Sequence, residues 1–356
     1  MELNHQKMSK KITYLFGAGS SANCLPIVKD IPGRLWGFRN FLLNNRLNLE
    51  DNLFGGMKQK DVEEEIIIRS TEIVELLSNK HHASIDTYAK RLRINAPFSN
   101  NAREAYNDLK AILSCFFIYE QMQNKVDCRY DSFFASMLSD SHTEFPENVR
   151  ILTWNYDFQF EKAYSLYSGE NSLSGNQWLL RVFQSGNLPR DTNGFGVYKL
   201  NGTTSFIIKK PFEPELRNLH DSLDSFDIKE LIQEFTVLYN NATKNSEKIH
   251  PTLSFAWESD WSERTRKFLE KTEEAVDETE ILVVIGYSFP FFNRKTDRRM
   301  INTMERTLKK VYIQDKYPNT VIDSFKSIIT DYVVRSNAID IEPISSYEQF
   351  FLPPEL

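Results

Sequence analysis

The chain has 356 residues, with 43 Lys+Arg against 49 Asp+Glu, a formal charge of −6, and 41% hydrophobic and 26% charged residues. Values of this kind exclude wholesale disorder, collagen-like and low-complexity classes; the length accommodates two or three domains, or one α/β domain carrying an insertion. The mild acidity supplies no overall cationic field to steer the chain onto nucleic acid or an anionic membrane, so neither is an expected partner.

Cys24, Cys115 and Cys128 are the only cysteines, widely spaced and without a CxxC pair. Neither a disulfide framework nor a four-cysteine zinc site can be built from them, so no metal is expected and a reducing compartment fits. No apolar stretch approaches the ~18–20 residues a membrane helix needs. Residues 1–11 are polar and lack the apolar core of a signal peptide, which points to a cytoplasmic protein.

In chain order, residues 12–16 form an apolar run ending at Gly17, and a roughly helical segment follows over 22–47. An ordinary dinucleotide fold would then supply a second parallel strand ending in an acid ~20 residues past the glycines. That position falls near Trp36, and helical periodicity continues instead, with apolar residues at intervals of three and four over 62–77 and 102–123. The expectation is a helical subdomain over 51–148, inserted into a core made of 12–50 and 149–335.

Strand signals return at 149–153, 196–200, 205–209, 280–285 and 310–314, alternating with helical patterns at 158–167, 263–275, 294–307 and 324–332. Residues 281–285 are apolar throughout, as in a parallel strand buried on both faces. The predicted class is α/β: a Rossmann-like, doubly wound, mostly parallel sheet with an inserted helical subdomain.

Four strand ends hold polar or glycine-marked turns. Gly17-Ala18-Gly19-Ser20-Ser21-Ala22 lies between a strand and a helix, where glycine lets backbone amides approach a pyrophosphate and the helix N-terminus favours its charge. Ser20 and Ser21 add hydroxyl donors. Thr153-Trp154-Asn155-Tyr156-Asp157 follows the 149–153 strand, with Asn155 and Asp157 equally readable as turn formers and a helix cap. Lys199-Leu200-Asn201-Gly202-Thr203 and Ile285-Gly286-Tyr287-Ser288-Phe289-Pro290 end two further strands. Each alone reads as a turn; four on one sheet edge suggest a ligand crevice.

The order GAGSS, TWNYD, KLNGT, IGYSFP resembles the sirtuin-like domain of bacterial anti-phage defence proteins, over roughly residues 12–315 and most specifically at the motifs. On that resemblance the whole chain, 1–356, is one sirtuin-like domain that binds NAD in a Rossmann-like sheet interrupted by helices. The resemblance implies that Gly17, Ala18, Gly19, Ser20 and Ser21 wrap the pyrophosphate. Gly286, Tyr287 and Ser288 would hold the adenosine half, with Asp315 at its ribose, and Tyr156, Gly202 and Thr203 would complete the pocket.

Deacylating sirtuins also contain a four-cysteine zinc module, which three dispersed cysteines cannot supply. The zinc-free group instead resembles NAD glycohydrolases, which release nicotinamide and drain the infected cell of NAD. Nicotinamide leaves as a neutral molecule, so the site needs to stabilise an oxocarbenium-like transition state and place a water. Asn155 is expected to orient the water or the ribose hydroxyls; Asp157 either steadies the developing charge or only caps the next helix.

One departure is chemical: the family's histidine is replaced by Asn201, and asparagine is no base near neutral pH. His5, His81, His82, His142, His220 and His250 lie elsewhere and none obviously substitutes. Asn201 then either positions the ribose diol in an active hydrolase, or the chain binds NAD or ADP-ribose without cleaving it and regulates or scaffolds a partner ATPase. A self-destructive hydrolase needs a trigger, which the resemblance places in trans: a HerA-type ATPase or an Argonaute-like partner. Phe291-Phe292-Asn293-Arg294 is most similar to the ATPase-associated group, and a homo-oligomer is expected.

Overall fold

The computed structural model describes residues 10–79, 82–138, 144–209, 215–218, 221, 227–246, 248–258, 262–329 and 339–356. The chain opens with β1 (Ile12–Phe16) and passes into five helices: α1 (Ile31–Asn44), α2 (Gln59–Ser78), α3 (Ile85–Asn95), α4 (Asn100–Gln123) and α5 (Cys128–Met137). It then runs β2 (Val149–Thr153), α6 (Gln159–Ser168), α7 (Leu173–Leu179), β3 (Val182–Phe183), β4 (Val197–Lys199), β5 (Phe206–Ile208), β6 (Glu215–Arg217), α8 (Ile228–Lys244) and β7 (Ile249–Pro251). The last part is α9 (Glu263–Val276), β8 (Ile281–Ile285), α10 (Arg294–Met304), β9 (Lys310–Gln314), α11 (Pro318–Lys326) and β10 (Asp340–Ile344).

Seven strands form one sheet in the order β10-β9-β8-β1-β2-β4-β3, with every neighbouring pair parallel. The first strand lies centrally, and the chain builds outwards from it first on one side and then on the other. That is a Rossmann-like doubly wound arrangement, with the strand order reversing between β1 and β8.

Side-chain alternation explains why both faces are covered. Ile12, Tyr14 and Phe16 of β1, with Ile281, Val283 and Ile285 of β8, enter a core shared with Tyr130, Phe133 and Phe134 of α5 and Phe160 of α6. Leu15, Leu282 and Val284 point the other way, onto Phe268 of α9, Met300 of α10 and Phe325 of α11. A strand with apolar residues in both registers is stable only between two helical layers.

A third core joins α1, α2, α3, α4 and α8 around Phe38, Phe116 and Phe235. The helical layer therefore takes more of the chain than 51–148, because α1 and α8 belong to it. α8 has an apolar stripe through Leu231, Ile232, Phe235 and Tyr239, which packs on α4 and α2.

Three differences from the sequence reading have physical causes. The segment expected to be helical over 22–47 is a turn until Ile31, since Pro26 and Pro32 restrict where a helix can start. The strand expected at 205–209 is β5, but it belongs to a separate antiparallel sheet, β6-β5-β7. The chain leaves the main sheet at Gly202, whose φ of +71° turns it through a left-handed conformation against the Thr252 carbonyl. Finally, β10 adds an edge strand beyond residue 335; Pro343 within it is tolerated at an edge.

The helix expected over 294–307 stops at Met304, and the one over 324–332 is α11, which begins six residues earlier and ends at Lys326; residues 330–332 lie outside the described residues. Among the described residues no helix is long and apolar enough to cross a membrane.

Candidate functional site

The four marked turns follow β8, β1, β2 and β4, which are consecutive in the sheet, so they gather at one carboxyl edge. Two of them touch through backbone alone. The Gly17 N–H donates to the Ile285 carbonyl at 3.0 Å and the Gly19 N–H to the Gly286 carbonyl at 2.9 Å. A Cβ on Gly19 would lie 2.8 Å from the Gly286 Cα, and Gly286 itself has φ +59°. Gly286→Ala is therefore expected to cost more than about 1 kcal/mol, through left-handed strain and collision with the first turn. Urea denaturation measures it, and an unchanged midpoint would show that the two turns can part freely.

These bonds decide what the first turn offers a ligand. Gly17 and Gly19 have committed their amides to the β8 turn; Ala18 is exposed and its amide bonds no described residue. Ser20 and Ser21 are buried and point inwards. The Ser20 hydroxyl donates to the Gly17 carbonyl at 2.7 Å and lies 2.9 Å from the Tyr130 hydroxyl. The Ser21 hydroxyl donates to Asp157 Oδ2 at 2.8 Å and also meets Tyr130 at 2.9 Å.

Asn155 closes this network. Its Nδ2 donates to the Gly17 carbonyl at 3.1 Å and to Ser20 Oγ at 3.0 Å, while its Oδ1 bonds no described residue. Arg129 fixes the turn from α5, donating to the Ser20 carbonyl at 2.8 Å and pairing with Asp127 at 2.6 Å. Three elements distant in sequence thus hold one asparagine in one orientation.

Asp157 is buried at the cleft wall. Its Oδ1 accepts the Gln159 N–H at 3.1 Å, at the first residue of α6, so it satisfies a helix-start amide from one position before the cap residue, Phe158, alongside the Ser21 bond. Burial raises its pKa above the usual carboxylate value, with the Lys199 charge opposing. Lys199, wholly buried at the end of β4, donates to the Asp157 carbonyl and pairs with Glu161 Oε2 at 3.1 Å. Burial also raises Glu161.

A cleft of about 670 Å³, counted with its open mouth, lies beside this network under the helical layer. Ala18, Ser21, Trp154, Asn155, Tyr156 and Asp157 line it from the sheet edge, and Leu113 and Phe117 of α4 line it from above. Asp86, in the first turn of α3, also lines it; burial raises this carboxyl, and it bonds no described side chain.

The remaining expected residues lie outside that lining. Asn201 donates from Nδ2 to the Trp154 carbonyl at 3.3 Å, and its Oδ1 is buried without a partner. Gly202 packs on Thr252, and the wholly buried Thr203 bonds Ser205 at 2.7 Å and Gln184 at 3.2 Å. Tyr287 is buried, donating to Asp297 at 2.7 Å beside the Trp154 indole, while Ser288 is exposed. Asp315, at the end of β9, accepts the Tyr317 N–H at 2.8 Å.

Asp297 receives both Trp154 Nε1–H and the Tyr287 hydroxyl, and burial pushes its carboxyl up to about 8. A carboxyl raised in the folded state contributes stability below about pH 4 that is lost as pH rises through about 8. Asp297→Asn is expected to flatten that fall, measured by denaturation across the same range. An unchanged pH profile would remove Asp297 as its source.

His5, His81, His142 and His220 lie outside the described residues. His82 sits beside Arg91 and Tyr88, and His250 in β7, both away from the cleft lining. Among the described residues, no group of three His, Cys, Asp or Glu side chains is placed to hold a metal ion. Arg129, Tyr130 and Asp86 are the site residues that sequence reasoning missed; no motif marks them, since they lie within 51–148 but outside the periodic stretches 62–77 and 102–123. Comparison with protein-family models finds no match to the chain, and comparison with curated proteins finds none.

Proposed function

We propose that the chain is a sirtuin-like NAD glycohydrolase, releasing nicotinamide and leaving ADP-ribose. The observation that supports it most is Asn155, lining the cleft with Nδ2 locked onto the glycine turn and Oδ1 unengaged. A fixed carbonyl oxygen there can accept from a ribose hydroxyl or an attacking water. The cationic, oxocarbenium-like transition state is favoured by a nearby carboxylate. Asp86 suits that role better than Asp157, both of whose oxygens are already occupied.

NAD fits this reading in its nicotinamide half more directly than in its pyrophosphate, because two amides of the turn are bonded to the β8 loop. The Ala18 amide remains for the phosphates. The test is incubation of the purified chain with NAD, alone and with candidate partners, with nicotinamide measured directly. NAD binding without nicotinamide under every assembly state sinks the hydrolase.

The second reading, a silent NAD-binding subunit acting on a partner ATPase, is favoured by one observation: Asn201 is turned to the Trp154 carbonyl, outside the cleft lining. A partner surface is supported by Phe291, 76% exposed, and by Leu166 and Trp178, 73% and 78% exposed. Abortive defence, a cytoplasmic location, a homo-oligomer and a HerA-type partner all rest on the same proposal.

Asp86→Asn is expected to reduce nicotinamide release by roughly 10-fold or more with NAD affinity little changed, because it removes charge aimed at the transition state. Wild-type turnover in that variant would take Asp86 out of the reaction.

A further inference from the structure

A second cleft opens behind the first. Counted with its mouth it measures about 1310 Å³, and its lining includes Arg93, Arg103, Lys110, Lys209, His250 and Arg264. Against these cations Glu258 is the one acid lining it among the described residues, and its carboxylate is already held by Tyr106, by Lys110 at 3.2 Å and by the Phe255 N–H at 2.8 Å.

Of the remaining cations, Arg103 and Arg264 form no salt bridge with a carboxylate among the described residues. Arg264 spends its guanidinium on neutral acceptors, the Ser185 and Gly186 carbonyls, and Arg103 donates to the Ala96 carbonyl at 3.4 Å. Lys209 forms no salt bridge with a described residue and stands on the exposed rim. His250 feels this field: burial first, then Lys209 and Lys110, push its imidazole down to about 4. A concave basic site in a chain of charge −6 is a local feature that the overall charge conceals.

We propose that this cleft binds a phosphorylated small molecule carrying at least two negative charges. Arginines and a lysine converging in a concavity match phosphate oxygens in charge and geometry. The concave shape favours a compact ligand over a nucleic-acid strand, which needs an open track for its backbone. The inference is independent of what the first cleft does, although the two share a wall: Thr252, Ser254 and Glu258 line this one and Phe255 the other.

The test uses the full chain and inorganic pyrophosphate at constant ionic strength, following the His250 ring by NMR, assigned with His250→Asn. Saturable displacement of that resonance is expected, together with an upward move of its titration, since a bound anion favours the imidazolium. Arg103→Ser combined with Lys209→Ser is expected to weaken binding by about tenfold or more without altering the melting temperature. An unmoved His250 resonance, unchanged affinity in the double variant, or a response to oligonucleotides alone would overturn the proposal. Because His250 reports on this cleft and nicotinamide release on the other, either reading can fail without the other.

Discussion

Asn155→Ala is expected to lower nicotinamide release from NAD by about 10²–10³-fold, the scale seen when one preorganised polar group is removed from a reacting centre. The side chain's position is over-determined: Nδ2 donates to the Gly17 carbonyl and Ser20 Oγ, and those groups are held in turn by Tyr130 and Arg129. Alanine removes Oδ1 from the cleft and leaves the Gly17 carbonyl and Ser20 hydroxyl one donor short. A modest stability loss of about 1 kcal/mol accompanies the activity loss. Asn155→Asp separates the two effects, because it keeps the size and an oxygen but donates neither bond when ionised. Turnover of either variant within threefold of wild type, under conditions where wild type is active, would remove Asn155 from the mechanism.

Lys199→Met is expected to be the most destabilising of these changes, by about 3–5 kcal/mol, because it leaves the Glu161 carboxylate buried without its cation. Neither partner of this pair has any exposed side-chain surface. Glu161, already raised by burial, loses the charge that opposes the rise. The stability of Lys199→Met therefore holds at low pH and falls as pH climbs above the ordinary glutamate range. Pairing Lys199→Met with Glu161→Gln is expected to recover part of the loss. Urea denaturation at pH 5 and at about pH 8 gives both quantities; equal stability at the two pH values would mean that the pair does not set the cost.

The sheet was legible in sequence because its inner strands are apolar in both registers. Residues 281–285 announce burial on two faces, and β8 covers them, one residue short of the 280–285 expected, while β2 has the expected range 149–153. β10 was not legible: Asp340, Glu342 and Pro343 suit an edge strand with one wet side and give little periodic signal. β5 misled for the opposite reason, since an apolar Phe206-Ile207-Ile208 run says that a strand is buried but not in which sheet. The decision is taken at Gly202, by a backbone angle.

The candidate site divides in the same way. Asn155, Asp157 and the glycine turn were visible because strand ends concentrate polar residues into short motifs. Tyr130 and Arg129 were not, because they reach the turn from a helix about 110 residues away in sequence. The roles expected of Ser20, Ser21 and Thr203 depended on side-chain direction, which a motif does not contain; Ser20 and Thr203 are turned into the protein, and Ser21, at the cleft wall, spends its hydroxyl on Asp157.

The central placement of β1 has a consequence for how the molecule comes into being. Ile12 is made long before its partners, Val149 on one side and Ile281 on the other. Such long-range pairing is slow and cannot be completed during early synthesis. Until the chain has been extended past Gly286, the glycine turn lacks the backbone that seats Gly17 and Gly19. A fragment ending after Gln159 but before β8 therefore has every residue of the Asn155 network and no assembled crevice around it. Whatever this edge of the sheet does, only a chain extended past Gly286 can do it.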